Sequence, residues 1–300
     1  MKLKELFQEF VEYKAKNSTP RTIEEYRRFL YGPILDAVGE KELSEIKTLD
    51  REDIVDKAKA YGATAFQRAV VDFRMLIKYA KEAGYNPPVD YRDFKVPRLP
   101  KKPVVFFTVA EINKIRNSFD ISKEEEARLR YEGGEQMVEK CKKAAERMKA
   151  FCEVLLGSGL RLEEACALTK DDIDWERKTL RVVNCKPPYN IDDVCITDKG
   201  MNALKTILEA RSDVLPSVFC MTKNAARKYL WKHAKKLGLK KFSSRIFRKT
   251  FVTHLLNNGA TLPETQRLAR HESPVTTMRH YAGTLFEKTQ ESHGKALNGI

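Results

Sequence analysis

The sequence predicts a mainly α protein of the α+β kind: a helical N-terminal domain, then a mostly helical C-terminal domain with one small β-hairpin. Three observations predict it. Apolar residues recur at helical spacing through most of the chain. A proline-rich basic stretch, "NPPVDYRDFKVPRLPKKPVV", interrupts that pattern near residue 100. Only two short β-rich runs appear, flanking a polar turn. With 300 residues, 42% of them apolar and 33% charged, the chain can hold two domains and a sizeable core in at least one.

The first domain, residues 1–96, is expected to hold about four helices. In "NSTPRTIEEYRRFL", Ser18 or Thr19 serves as N-cap and Pro20 enters the first turn, while Ile23, Tyr26, Phe29 and Leu30 follow at helical spacing. "TAFQRAVVDFRMLIKYAKEAG" repeats the period and stops at Gly84, a C-cap residue. Pro87, Pro88, Pro97, Pro100 and Pro103 exclude helix over much of the stretch beyond Gly84, so residues 97–105 read as an extended basic linker. The second domain, residues 106–300, opens with a helix capped by Thr108, then a charged helical stretch from about Lys123 to Leu156. Leu180–Cys185 and Val194–Ile196 make the hairpin, and the helical pattern resumes from Lys199.

Net charge is +14, and its placement is uneven. Residues 1–100 carry about +2, whereas residues 221–250 carry eleven cations and no acid: Lys223, Arg227, Lys228, Lys232, Lys235, Lys236, Lys240, Lys241, Arg245, Arg248 and Lys249. Tyr229, Trp231, Phe242 and Phe247 are interleaved, so this is a folded basic surface rather than a tail. A nucleic acid is the economical partner. Arg21, Lys101 and Lys102 are further candidates for backbone contact. No eighteen apolar residues run together, so no membrane partner is expected. The amphipathic start "MKLKELFQEFVEY" does not read as a signal peptide, and a cytoplasmic location is expected. The six cysteines form no C-x-x-C pair, which argues against zinc. Asp171, Asp172 and Asp174 of "DDIDW" read as structural rather than as a magnesium site, so no metal and no cofactor are expected.

Three segments carry candidate chemistry. In "LLGSGLRLEEACALTK" an apolar helix ends at Gly157–Gly159 and another opens at Arg161, with Glu164 three residues on and on the same face. That spacing suits a structural salt bridge as well as a site. In "SSRIFRKTFVTHLL", Arg245 and Arg248 lie three apart, so both guanidiniums leave one face, with Ser243 or Ser244 as cap. A helix start beside two guanidiniums suits a phosphate. "GATLPETQRLARH" carries a Thr261–Glu264 capping box, and "ESPVTTMRHYAG" has Ser273 as cap with Pro274 just inside. His271 falls in the loop between these helices. The polar turn "NCKPPYNIDD" contains one lysine, Lys186.

Taken in order, "GLRLEE", "RIFRKTFVTHLL" and "LARHESPVTTMRHY" resemble the tyrosine recombinases, the phage-integrase family. Arg161 and Arg248 match the family's two arginines, and Glu164 the acid after the first. His271 follows Arg248 by 23 residues and Tyr281 follows His271 by ten, which matches the family spacing. "NSTPRTIEEYRRFL" resembles the start of the family's N-terminal core-binding domain, so the resemblance covers essentially the whole chain. There are three departures. Arg245 stands where the family has the histidine of His-x-x-Arg, as in some archaeal integrases. Ala269-Arg270-His271 replaces Leu-Gly-His and alters a tight glycine turn. Gln136 to Lys149 lengthens the helical region before Arg161.

The resemblance implies cleavage and rejoining of double-stranded DNA through a 3′-phosphotyrosine, without metal or ATP. It implies Tyr281 as nucleophile, with Arg161, Arg248 and Arg245 around the nonbridging oxygens. His271 would bond the phosphate or assist proton transfer, and Lys186, in the hairpin turn, would protonate the leaving 5′-oxygen. It also implies a monomer or weak dimer when free and four protomers on two DNA sites, with residues 282–300 as a tail docking on a neighbour. An archaeal-type integrase of a mobile element is the expected role. A chromosome-dimer resolvase, a type IB topoisomerase and an inactive DNA-binding protein are the alternatives.

Overall fold

A computed structural model describes residues 1–62, 64–98, 103–183, 191–211, 215–239, 243 and 245–281; for residues 29–31, 280 and 281 it describes the backbone alone. The chain divides into two compact units, Met1–Lys102 and Pro103–Ile300.

The first unit holds α1 (Leu3–Ala15), α2 (Pro20–Phe29), α3 (Leu35–Val38), α4 (Asp50–Lys59) and α5 (Ala65–Glu82). α1 buries Leu3, Leu6, Phe7, Phe10 and Val11, the single stripe that a 3.6-residue period produces. α2 begins as its sequence requires: Thr19 Oγ1 accepts the Thr22 N–H at 3.4 Å. α5 ends before Gly84, whose φ of +89° is costly for any residue with a Cβ. The core closes around Phe7, Phe10 and Phe73, with Phe94 edge-on to Phe73 at 5.0 Å.

The second unit contains α6 (Val109–Asn117), α7 (Lys123–Ser158) and α8 (Leu162–Ala167). Strands β1 (Ile173–Asp174), β2 (Thr179–Val183) and β3 (Ile191–Cys195) come next, then α9 (Asp198–Glu209), α10 (Lys223–Lys236), α11 (Ile246–Asn257), α12 (Leu262–Leu268) and α13 (Pro274–Tyr281). Thr108 caps α6 through the Glu111 N–H at 3.2 Å. α7 breaks at Gly133 and Gly134, the latter at φ +68°. Its C-terminal part is the central core helix, burying Phe151, Val154 and Leu155.

The expected small β-hairpin is part of a three-stranded sheet. β1 adds a third antiparallel strand, pairing Ile173 with Leu180, and β2 pairs Leu180 with Val194 and Val182 with Asp192. Two residues are too few for an alternating pattern to show, which is why β1 escapes a periodicity reading. Leu180, Val182 and Val194 are buried, so Asp192, opposite Val182, lies on the inward face of the ladder. The segment entering the unit is fastened to α11: Phe107 N–H donates to Thr250 Oγ1 at 2.9 Å, and Phe107 O lies 2.9 Å from His254 Nε2.

Candidate functional site

The site is built where α7 ends and α8 begins. α7 stops at Gly159, which adopts φ +65° as a left-handed cap. A Cβ there would fall 2.4 Å from Cδ1 of Phe251 on α11, so the turn needs glycine for its backbone and for its clearance. This close approach lets Arg248 of α11 donate from Nη1 to the Gly159 carbonyl at 3.0 Å. Its Nη2 donates to the Ala269 carbonyl, beyond the end of α12. One guanidinium thereby ties three chain segments together.

Arg161 is the N-cap of α8. Glu164, three residues into the turn and 2% exposed at its side chain, accepts the Arg161 backbone N–H at 2.7 Å and Arg161 Nη1 at 2.7 Å. The Arg161 side chain is 49% exposed. Arg270 enters the same carboxylate from the other side: its Nη2 lies 2.5 Å from Glu164 Oε2, and its Nη1 lies 3.7 Å from Asp192 Oδ2 on β3. Burial raises the Glu164 carboxyl, but the charge of Arg270 and the bonds from Arg161 outweigh it and hold the group below the usual carboxylate range.

Burial acts on Arg248 in the opposite sense. Desolvation, then repulsion from Arg161 and Arg270, push its guanidinium down to about 9. It is still charged at neutral pH. The cluster of Arg161, Arg248 and Arg270 holds more positive charge than Glu164 and the more distant Asp192 return, which suits an anionic ligand.

His271 follows Arg270 directly. Its Nδ1 lies 2.8 Å from Oγ1 of the buried Thr277 on α13, and its backbone is bracketed by Gln266, which accepts its N–H at 3.0 Å and donates to its carbonyl at 3.0 Å. The Thr261–Glu264 box caps α12, and Tyr281 is the last residue of α13. The Tyr281 side chain, all of Lys186, and residues 282–300 lie outside the described residues.

One expectation for α11 is corrected. Arg245, not a serine, is the N-cap; Ser243 accepts the Ile246 N–H at its backbone carbonyl at 2.9 Å, and Ser244 lies outside the described residues. The two arginines differ in burial. Burial of Ile246 and Phe247 sets the helix so that Arg248 turns inward to the two carbonyls, while Arg245 is exposed.

Of the residues the sequence singled out, Arg161 and Glu164 are bonded to each other, Arg248 is bonded to the carbonyls of Gly159 and Ala269, and His271 lies two residues beyond the latter. The sequence reading missed Arg270. The signal was an arginine where the resemblance expects glycine, and the structure gives that residue φ +51°, a conformation costing about 1–2 kcal/mol for a residue with a Cβ. Its Nη2 pairs with Glu164, while its Nε and Nη1 are buried without a hydrogen-bond partner.

The basic stretch is partly compensated by acids from elsewhere. Arg227, Lys228, Lys232, Lys235 and Lys236 are exposed on α10, with Lys235 Nζ 5.7 Å from the centre of the exposed Trp231 ring. Lys223 pairs with Glu163, and Lys236 lies 3.5 Å from Glu125. Lys249 is half-buried. Arg21, in the first unit, is exposed and 3.7 Å from Glu25. Lys101, Lys102, Lys240 and Lys241 lie outside the described residues. Asp172 accepts from Thr169 N–H at 2.9 Å and Asp174 from Arg177 N–H at 2.8 Å, both turn-forming roles. Among the described residues no cluster of His, Cys, Asp and Glu could hold a metal, and no helix is long and apolar enough to cross a membrane.

The chain is similar to known proteins in sequence and in fold. The tyrosine recombinase XerC of Chlorobaculum parvum is 24% identical over 313 aligned positions, covering 95% of this chain and 91% of that protein. A probable integrase/recombinase of Acholeplasma phage L2 is 28% identical over 138 positions, 44% of this chain and 47% of its own. In fold, the chain resembles the Tn1549 transposon integrase solved with circular intermediate DNA, at TM-score 0.74 and 18% identity over 98% of this chain and 99% of that one. It also resembles a lambda integrase dimer bound to a COC′ core site, at TM-score 0.69 and 14% identity over 92% and 97%. The model of the phage integrase family matches residues 127–288, more than half of the chain, and the protein therefore belongs to that family, the tyrosine recombinases.

Proposed function

We propose that this protein is a site-specific recombinase that cleaves and rejoins duplex DNA through Tyr281, as the integrase of a mobile element. The observation that carries the reading is the junction of Arg161, Arg248 and His271: Arg248 is bonded to the carbonyls of Gly159 and Ala269, each within two residues of another member. Three segments distant in sequence thus meet at one guanidinium. The crowding that depresses Arg248 would be relieved by a phosphate.

A phenol ionises near ~10, and nearby cations favour its anion. Tyr281 Oη attacks the scissile phosphorus, the bond to the 5′-oxygen breaks, and Lys186 gives its proton to that oxygen. Arg161 and Arg248 bond the nonbridging oxygens as the phosphorane forms, and Arg245 adds charge from the rim. A permanently charged guanidinium cannot shuttle a proton as the usual histidine would. His271 is oriented through Nδ1 by Thr277, so its contact with phosphate or proton runs through Nε2. The phosphotyrosine keeps the ester linkage, so rejoining needs no ATP. The exposed cations of α10 bind the DNA backbone, and the N-terminal domain expected over residues 1–96 and the linker 97–105 are further DNA-contacting segments. Four protomers on two sites are the expected assembly; a lambda integrase tetramer has been solved on a Holliday junction.

The likeness to XerC over 95% of this chain favours a second reading, a resolvase of chromosome or plasmid dimers. Sequencing the DNA trapped on the protein separates the two, since a mobile-element junction supports the first and a host dimer-resolution locus the second. Two plasmid copies of that site should then recombine. Relaxation of supercoiled DNA at low protein, with no recombination, would instead support a topoisomerase.

A further inference from the structure

We propose that Arg270 is a positioning residue for DNA cleavage, which holds Glu164 so that Arg161 keeps part of its guanidinium for the scissile phosphate. The inference rests on the recombinase reading above. Three observations carry it. Arg270 sits between the Ala269 carbonyl that fixes Arg248 and the imidazole of His271, so its backbone belongs to the site. Its side chain is only 11% exposed and spans from Glu164 on α8 to Asp192 on the inward face of β3. Its backbone is held at φ +51°, which a tether at the far end of the side chain accounts for.

Glu164 explains why this matters to Arg161. The carboxylate is buried and takes charge from two sides, Arg161 at Oε1 and Arg270 at Oε2. Among the described residues, Arg161 Nε and Nη2 have no acceptor, and the side chain is half exposed. Remove the charge of Arg270, and Glu164 depends on Arg161 alone. A buried carboxylate with one cation draws that cation in, and the guanidinium then turns its fork toward Glu164 rather than outward. Asp192 completes the arrangement from the sheet: it attracts the other end of Arg270, so the cation is shared and stays between the two acids.

The test is a cleavage-rate comparison on a duplex whose cut is trapped as a covalent adduct. Arg270→Met keeps the stem and removes the charge. It is expected to slow adduct formation about tenfold or more while changing duplex affinity less than about threefold. Arg270→Lys should recover most of that loss, because it restores the charge beside Glu164. Glu164→Gln combined with Arg270→Met should be no slower than Arg270→Met alone, because the carboxylate that misdirects Arg161 is gone. Wild-type rate in Arg270→Met, no recovery in Arg270→Lys, or losses that add in the double variant would each overturn the proposal. If the wild-type chain itself forms no adduct, the recombinase reading fails instead.

Discussion

Replacing Arg248 with methionine should separate stability from catalysis. The guanidinium is pushed well below its usual value, to about 9, so its charged form carries a penalty of roughly 5 kcal/mol at neutral pH. The sign comes from proton counting. The unfolded chain holds this proton more tightly, so the penalty is present in full below about pH 9 and is relieved as pH rises toward the unfolded value. Against it stand two charge-assisted bonds to the carbonyls of Gly159 and Ala269, each contributing roughly 1.5–3 kcal/mol. The two sides nearly cancel. Arg248→Met is therefore expected to change the stability of the second unit by less than about 1.5 kcal/mol, and to slow cleavage by roughly 10²–10³. Trp175 and Trp231 are the only tryptophans and both lie in that unit, so urea unfolding followed by tryptophan fluorescence reports on it alone. A loss above about 3 kcal/mol would make Arg248 a structural strut and refute the bookkeeping.

Other outcomes rest on the same geometry. If ~6 phosphates are contacted per protomer, the slope of log K against log salt should be about −5; a slope near zero would remove the exposed face of α10 from the interface. Lys186→Ala should slow cleavage by roughly 10²–10⁴ and regain most of that rate on a 5′-phosphorothiolate, since a thiolate leaves without a proton. Equal slowing on both substrates would give the proton to another group. Gly159→Ala should destabilise the second unit, because its Cβ meets Phe251 at 2.4 Å in a left-handed turn; an unchanged unfolding midpoint would show that α7 and α11 can part without cost.

Most of the local structure was legible because it depends on neighbours in sequence. Thr108, Thr261 and Pro274 announce helix starts by chemistry that acts within one turn. Arg161 and Glu164 could be paired for the same reason: three residues of helix bring them together whatever the rest of the chain does. What was not legible is long-range. The inward turn of Arg248 depends on carbonyls 89 and 21 residues away. Arg270 reads in sequence as a disturbed glycine turn, and only its burial against Glu164, 106 residues away, gives it a purpose. The acids that offset Lys223 and Lys236 lie on α8 and α7, so a count over one stretch overstates the free charge of α10.

The central claim, that Tyr281 is the nucleophile, is tested most directly by mapping the covalent bond. The wild-type chain and Tyr281→Phe would be incubated with duplex containing the trapped site, digested, and the DNA-linked peptide identified by mass spectrometry. Tyr281→Phe loses one hydroxyl and should bind the duplex as the wild type does while forming no adduct. In the wild type, the linked peptide should contain Tyr281 esterified to a 3′-phosphate, with a free 5′-hydroxyl on the other side of the cut. An adduct that persists in Tyr281→Phe, or one that maps to Tyr229 or Tyr189, would contradict the account.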